Sequence, residues 1–271
     1  MVLAIEDLRL SVPTPVGSRE ILRGVSLDVA EGETVGLVGE SGSGKSTTAR
    51  AALRLMPDHA SLTGTVTVCG HEMVADDRVA VRKVRSELAA MIFQEPRATL
   101  NPVRRIGDSA TERLVKVHGM AKARARERIA SLFAEVGLDD TDRVLRAYPH
   151  QLSGGMLQRV VIAAALSIEP RLLLADEATS ALDVTTQAEV LALLRRLQRE
   201  RHTGVLFITH DLQLAAAYCD RVYVMKDGSV VDHQEADTIF VNPANPYTKA
   251  LADAVPRLPE RERAASAEAP A

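Results

Sequence analysis

An α/β fold built on a mostly parallel sheet is what this sequence predicts, with a pair of strands near its start and a helical insertion in its middle. Three observations predict it. Runs of branched aliphatic residues alternate with helix-like segments, the pattern of parallel strands linked through helices. Residues 107–146 interrupt that alternation with a helical composition. The first thirty residues hold two strand-like runs and no helical segment.

Taken in order, "VLAIEDLRLSV" and "ILRGVSLDV" read as strands. "EGETVGLVG" turns at Gly32 into a continuous apolar run, as a strand buried on both faces requires. A glycine-rich loop follows, and "KSTTARAALRLM" is the helix it opens; "TGTVTVCG" is a short strand between turns. In "RERIASLFAEVG", Ile129, Leu132, Phe133 and Val136 share one helix face, an apolar stripe that packs into a core. Strands return as "RLLLAD", "GVLFITH" and "RVYVMKDG", separated by helices such as "TTQAEVLALLRRLQRE". The closing "PERERAASAEAPA" reads as a frayed, disordered tail.

Composition narrows the function. Of 271 residues 46% are apolar, enough for a substantial core, and the net charge of -3 gives no general basic field for nucleic acid. The N-terminus has no basic-then-apolar signal pattern, and no apolar run approaches the ~18 residues of a membrane span. A membrane role must then come from a partner. Cys69 and Cys219 lie far apart and suggest a reduced compartment, and the seven histidines show no metal-ligand spacing.

"GESGSGKS", Gly39 to Ser46, completes the G-x-x-x-x-G-K-[ST] phosphate-loop pattern between a buried-type strand and a helix. Its amide groups and the helix N-terminus behind them suit a phosphate, Lys45 can reach the β- and γ-phosphates, and the Ser46 hydroxyl can ligate Mg²⁺. The core is therefore of P-loop NTPase type, and the chain binds a nucleoside triphosphate. "RLLLADE" ends an apolar strand in Asp176, expected to hold Mg²⁺, and Glu177, expected to orient and deprotonate the attacking water. His210 ends "FITH" and Gln94 follows "MIF", so both should emerge at the carboxyl edge of the sheet, where ligands bind. There His210 would touch the γ-phosphate, and Gln94 would reach Mg²⁺ or the water.

"HQLSGGMLQRVV" poses a separate question, because Ser153, Gly154 and Gly155 form a second anion-holding device at a helix start. Together these motifs resemble the ATP-binding subunit of an ABC transporter. Gly39 to Thr47 resembles the Walker A loop, Gln94 the Q-loop, and Leu152 to Arg159 the ABC signature. "LLLADE" resembles Walker B with its catalytic glutamate, Ser180 to Asp183 the D-loop, and His210 the switch histidine.

The resemblance implies a nucleotide surrounded by Gly39, Glu40, Ser41, Gly42, Ser43, Gly44, Lys45, Ser46 and Thr47, with Mg²⁺ on Ser46, Gln94 and Asp176. Ser153, Gly154 and Gly155 would cap the ATP of a second, head-to-tail subunit, and Asp183 of the D-loop would be a further nucleotide-binding residue. It also implies a division of residues 1–255. Residues 1–30 and 61–70 would form the antiparallel β subdomain, and residues 31–60, 71–95 and 160–235 the P-loop core. Residues 96–159 would be the helical insertion and 236–255 a C-terminal extension, with 256–271 as the tail. That extension, "DTIFVNPANPYTKALADAVPRL", resembles the one in oligopeptide, dipeptide and nickel importer ATPases.

Three departures stand out. No aromatic precedes Phe93, so adenine contact falls to an aliphatic such as Val16; Ala178 replaces the proline usual after the glutamate; and Asn245 stands where that importer group often has histidine. The function implied is an ATPase that couples hydrolysis to import of peptides, nickel or similar solutes, through two separate permease subunits supplied by an external solute-binding protein. It would sit on the cytoplasmic face of the inner membrane, paired with a second ATPase as a heterodimer or homodimer. Its permease would dock on a groove lined by "QEPRATLNPVRRIGD". The alternative is an ABC-type ATPase without transport, acting in enzyme assembly, in carbon–phosphorus chemistry, or on ribosomes or DNA.

Overall fold

Two sheets carry the fold in the computed structural model, which describes residues 1–15, 17–75, 77–179 and 182–254. β1 (Leu3–Thr14) and β2 (Gly17–Val29) pair antiparallel from Leu3↔Val29 to Thr14↔Gly17. β3 (Thr34–Val38), buried at every position, begins the second sheet and leads through the glycine-rich loop into α1 (Lys45–Ala52). β4 (Ser61–Val68) returns to the first sheet beside β1, and β5 (His71–Glu72) pairs with its end. α2 (Arg78–Lys83) and a π-helical turn, Val84–Leu88, lead to β6 (Ala89–Ile92).

The helical middle holds α3 (Pro96–Thr99), α4 (Ile106–Lys116), α5 (Lys122–Glu135), α6 (Thr141–Arg146) and α7 (Gly154–Leu166). β7 (Leu172–Asp176), α8 (Val184–Arg201), β8 (Gly204–Ile208), α9 (Leu212–Tyr218) and β9 (Arg221–Lys226) then alternate. β10 (Ser229–Glu235) and α10 (Pro246–Ala254) close the described chain.

The second sheet runs β10-β9-β3-β8-β7-β6, parallel throughout except for β10. This is the mostly parallel α/β architecture expected. Side chains of its strands alternate between two cores with period two. Leu173 and Ala175 of β7 face the helices, with Val205 and Phe207 of β8; Leu172 and Leu174 face the antiparallel sheet and α1, with Leu206 and Ile208. The stripe of Ile129, Leu132, Phe133 and Val136 is buried in the helical core, as its spacing requires.

Arg221, at the start of β9, ties the two sheets. Its Nη2 stands 2.7 Å from Asp28 Oδ2 on β2 and its Nε 2.6 Å from Glu33 Oε1, while the Tyr223 hydroxyl donates to Asp28 Oδ1 at 2.9 Å.

Three expectations need correction. Residues 71–72, expected in the core, form β5 on the antiparallel sheet; two residues are too few to show an alternation. α7 runs unbroken across the expected boundary between 159 and 160, because Leu157, Val160 and Val161 bury one continuous face. The first helix stops at Ala52 rather than at Met56, where Arg54 turns left-handed at φ 53°. The expected tail, 256–271, lies outside the described residues.

Candidate active site

Because β3, β6, β7 and β8 run parallel, their carboxyl ends share one edge of the sheet. The glycine-rich loop leaves β3 there, Gln94 follows β6, Asp176 and Glu177 close β7, and His210 follows β8. Topology thus collects residues from Gly39 to His210 at one edge, as the motif order predicts.

The loop needs its glycines. Gly39, Gly42 and Gly44 adopt positive φ of 147°, 83° and 107°, and a Cβ on Gly39 would fall 2.2 Å from the Met225 carbonyl oxygen. Behind the loop, the Gly228 N–H donates to the Ser43 carbonyl at 3.0 Å. The Lys45 ammonium donates to the Gly39 carbonyl at 2.9 Å and to the Glu40 carbonyl at 2.8 Å. Its burial lowers its pKa, against the opposing pull of Glu177, Asp176 and Glu40.

The Ser46 hydroxyl donates to Asp176 Oδ1 at 2.6 Å. Asp176 is 1% exposed, and its Oδ2 accepts no hydrogen bond. Burial raises the pKa of this carboxyl, with the Ser46 hydroxyl and the Arg50 guanidinium opposing. Arg50 Nη2 stands 3.8 Å from Oδ2. Reading motifs alone missed Arg50; its signal was the four-residue spacing from Ser46, which puts both on one face of α1.

Glu177 is held in the left-handed region at φ 47°, a strained backbone for a carboxylate residue. Its N–H donates to the Ile208 carbonyl at 3.0 Å. Gln94 Nε2 donates to Glu177 Oε2 at 2.7 Å, and His210 Nδ1 lies 3.3 Å from Oε1. One carboxylate therefore gathers the amide and the imidazole that the sequence placed on this edge.

Ser153, Gly154 and Gly155 open α7. The Ser153 hydroxyl accepts from the Met156 N–H at 3.3 Å, Ser153 and Gly154 are exposed, and a Cβ on Gly154 would meet nothing within 4 Å. Asp183 opens α8, accepting from the Thr186 N–H at 3.0 Å and the Thr186 hydroxyl at 2.8 Å, bonds that lower its pKa. A Cβ on Gly155 would stand 3.1 Å from Thr186 Cγ2, so Thr186 joins the two helix starts. Among the described residues, Ser153 bonds to nothing in the phosphate loop. Val16, Ser180 and Ala181 lie outside the described residues.

Comparison with known proteins agrees with this geometry. The family model described as ABC transporter matches residues 22–180. The oligopeptide transport ATP-binding protein OppD of Salmonella typhimurium is 41% identical over 258 residues, 95% of this chain and 77% of that protein. The dipeptide transport ATP-binding protein DppD of Bacillus subtilis is 41% identical over 259 residues, again 95% and 77%. Among solved structures, a dimeric post-hydrolysis state of the ATP-binding cassette MJ0796, bound to ADP and Pi, superposes with a TM-score of 0.77. It is 28% identical and covers 86% of this chain and 98% of its own. A phosphate loop facing an Asp-Glu strand end, on a fold and a sequence shared with such proteins, has one reading: the chain belongs to the ABC transporter family and is one of its ATPases.

Proposed function

We propose that this ATPase binds ATP with Mg²⁺ at the carboxyl edge of the sheet and hydrolyses it to drive import of a peptide-like or nickel-type solute through separate permease subunits. One observation carries the reading: Ser46 and Asp176 in contact on one side, and Glu177 bonded to Gln94 and His210 on the other. The loop amides of Gly39 to Thr47 wrap the phosphates, and Lys45 exchanges its two carbonyl partners for phosphate oxygens.

The donor set fits a hard cation, being a hydroxyl, an amide and a buried carboxylate whose Oδ2 accepts no hydrogen bond. Ser46, Gln94 and Asp176 are the residues that hold the ion, which supplies neutralisation of charge on the β- and γ-phosphates. Glu177 orients the attacking water and takes its proton, and His210 contacts the γ-phosphate. The exposure of Ser153 and Gly154, with the dimeric state of the ADP-bound relative, supports a head-to-tail pair in which Ser153, Gly154, Gly155 and Asp183 close the partner's nucleotide site.

The relatives' names support transport over a non-transport ATPase, and peptides as the cargo class. No helix of the described residues is long and apolar enough to cross a membrane. The reading therefore places the chain peripherally, on the cytoplasmic face, held by two permease subunits and a second ATPase subunit. In Glu177→Gln, ATP binding should persist while single-turnover hydrolysis slows by roughly 10²–10⁴-fold, the usual range for a general base. Hydrolysis near the wild-type rate would remove Glu177 from that role.

A further inference from the structure

The C-terminal extension is the one sequence feature that the hydrolytic site leaves without a task. α10 does not hang free. The Asn245 N–H donates to the buried Asp232 at 3.0 Å, Asn245 Nδ2 donates to the Val231 carbonyl at 2.9 Å, and Asn245 Oδ1 accepts from the Tyr247 N–H at 2.8 Å. Asn245 thus clamps α10 to β10 and sets the direction of Tyr247.

Tyr247 meets the β9–β10 turn that backs the nucleotide loop. The Lys226 ammonium sits 4.6 Å from the centre of its ring, at the end of β9. The same β9–β10 turn supports the phosphate loop: Gly228 N–H donates to the Ser43 carbonyl, and the Met225 carbonyl crowds the space above Gly39. Three consecutive contacts therefore run from extension to turn to loop. The Tyr247 hydroxyl is buried without a hydrogen-bond partner among the described residues, and burial, with the charge of Glu40, raises its pKa. A buried donor left unsatisfied is costly.

We propose that Tyr247 is a positioning residue for ATP binding, its ring bracing the Lys226–Gly228 turn, so that the docked extension holds the phosphate loop in its nucleotide-accepting form. The inference rests on the reading that residues 39–47 hold ATP. Tyr247 touches no reacting atom. Its effect belongs in nucleotide affinity, not in the chemical step.

The test measures steady-state ATP hydrolysis and binding of a fluorescent ATP analogue by the full chain. In Tyr247→Ala, which loses ring and hydroxyl, KM for ATP and the dissociation constant should rise roughly fivefold, what losing one cation–π contact predicts. kcat should stay within about twofold. Tyr247→Phe keeps the ring over Lys226 and should recover most of the affinity. Asn245→Ala, which unclamps α10, should reproduce the Tyr247→Ala pattern, whereas Lys249→Ala, on the exposed side of the helix, should match wild type. Melting temperatures identify any variant that has simply unfolded, and Tyr247→Phe keeps the test open if Tyr247→Ala does. Unchanged affinity in both Tyr247→Ala and Asn245→Ala, or a fall in kcat at constant KM, overturns the proposal. Failure of the wild-type chain to bind the analogue sinks the ATP reading itself, a result distinct from the first.

Discussion

At Asp176 two demands conflict. Burial raises its pKa, so the folded, nucleotide-free chain holds that proton more tightly than the unfolded chain does. Between the unfolded and folded pKa values the native state binds more protons, and stability falls as pH rises through that window. Asp176→Asn removes the titration but keeps the shape and an acceptor for Ser46. Without nucleotide, it should melt at a higher temperature than wild type near neutral pH, the gap closing as pH falls into the ordinary carboxylate range. It should also lose hydrolysis. Melting curves across pH check this, and an Asp176→Asn that is no more stable at neutral pH refutes it. The motif residues were legible one by one: a lysine after glycines and two acids after an apolar strand need no tertiary information. The left-handed backbone at Glu177 was not, because it arises only when β7 is set beside β8; Arg50 had only its spacing from Ser46 to mark it, and its contact with Asp176 came with the fold.

Elements obey their local patterns where one face or both are buried. β3, β7 and β8, read as continuous apolar runs, are buried at all five positions, and α5 shows its stripe. β5 escaped because its pairing comes from the end of β4, not from any alternation of its own. The tie through Arg221 escaped for another reason: its partners lie almost 200 residues away, on β2 and in the turn before β3. Arg221→Ala would leave two partly buried carboxylates facing each other without a cation. A loss of about 1–3 kcal/mol in unfolding free energy is expected, the range for hydrogen bonds to charged groups. Denaturant melts measure it. Restoration by Arg221→Lys should be partial, since one ammonium cannot fork between Asp28 and Glu33 as a guanidinium does. A full return of stability with lysine would argue against the forked contact.

Across the whole molecule, the parallel sheet is a partition between two apolar cores, and the reactive edge is where both cores end. Sequence order predicted that edge, since each motif follows a strand; which strands are neighbours came only with the fold. The surface formed by Ser153 and Gly154 has meaning at this scale alone. Glu177→Gln with ATP should dimerise in light scattering, and adding Ser153→Arg should hold it monomeric while analogue binding stays intact. Ser153 is exposed, so an arginine can turn outward, and a melting curve separates the loss of its cap on the Met156 N–H from a defect in assembly. An undiminished dimer would count against the head-to-tail arrangement.

The stacking of Tyr247 on Lys226 has a practical consequence. The chain has no tryptophan, so a single indole in place of that phenol would be its sole source of long-wavelength emission, lying over the ammonium it favours most among aromatic rings. Quenching of that light on mixing with nucleotide would clock the loop's motion in real time, at wavelengths where the remaining tyrosines contribute little.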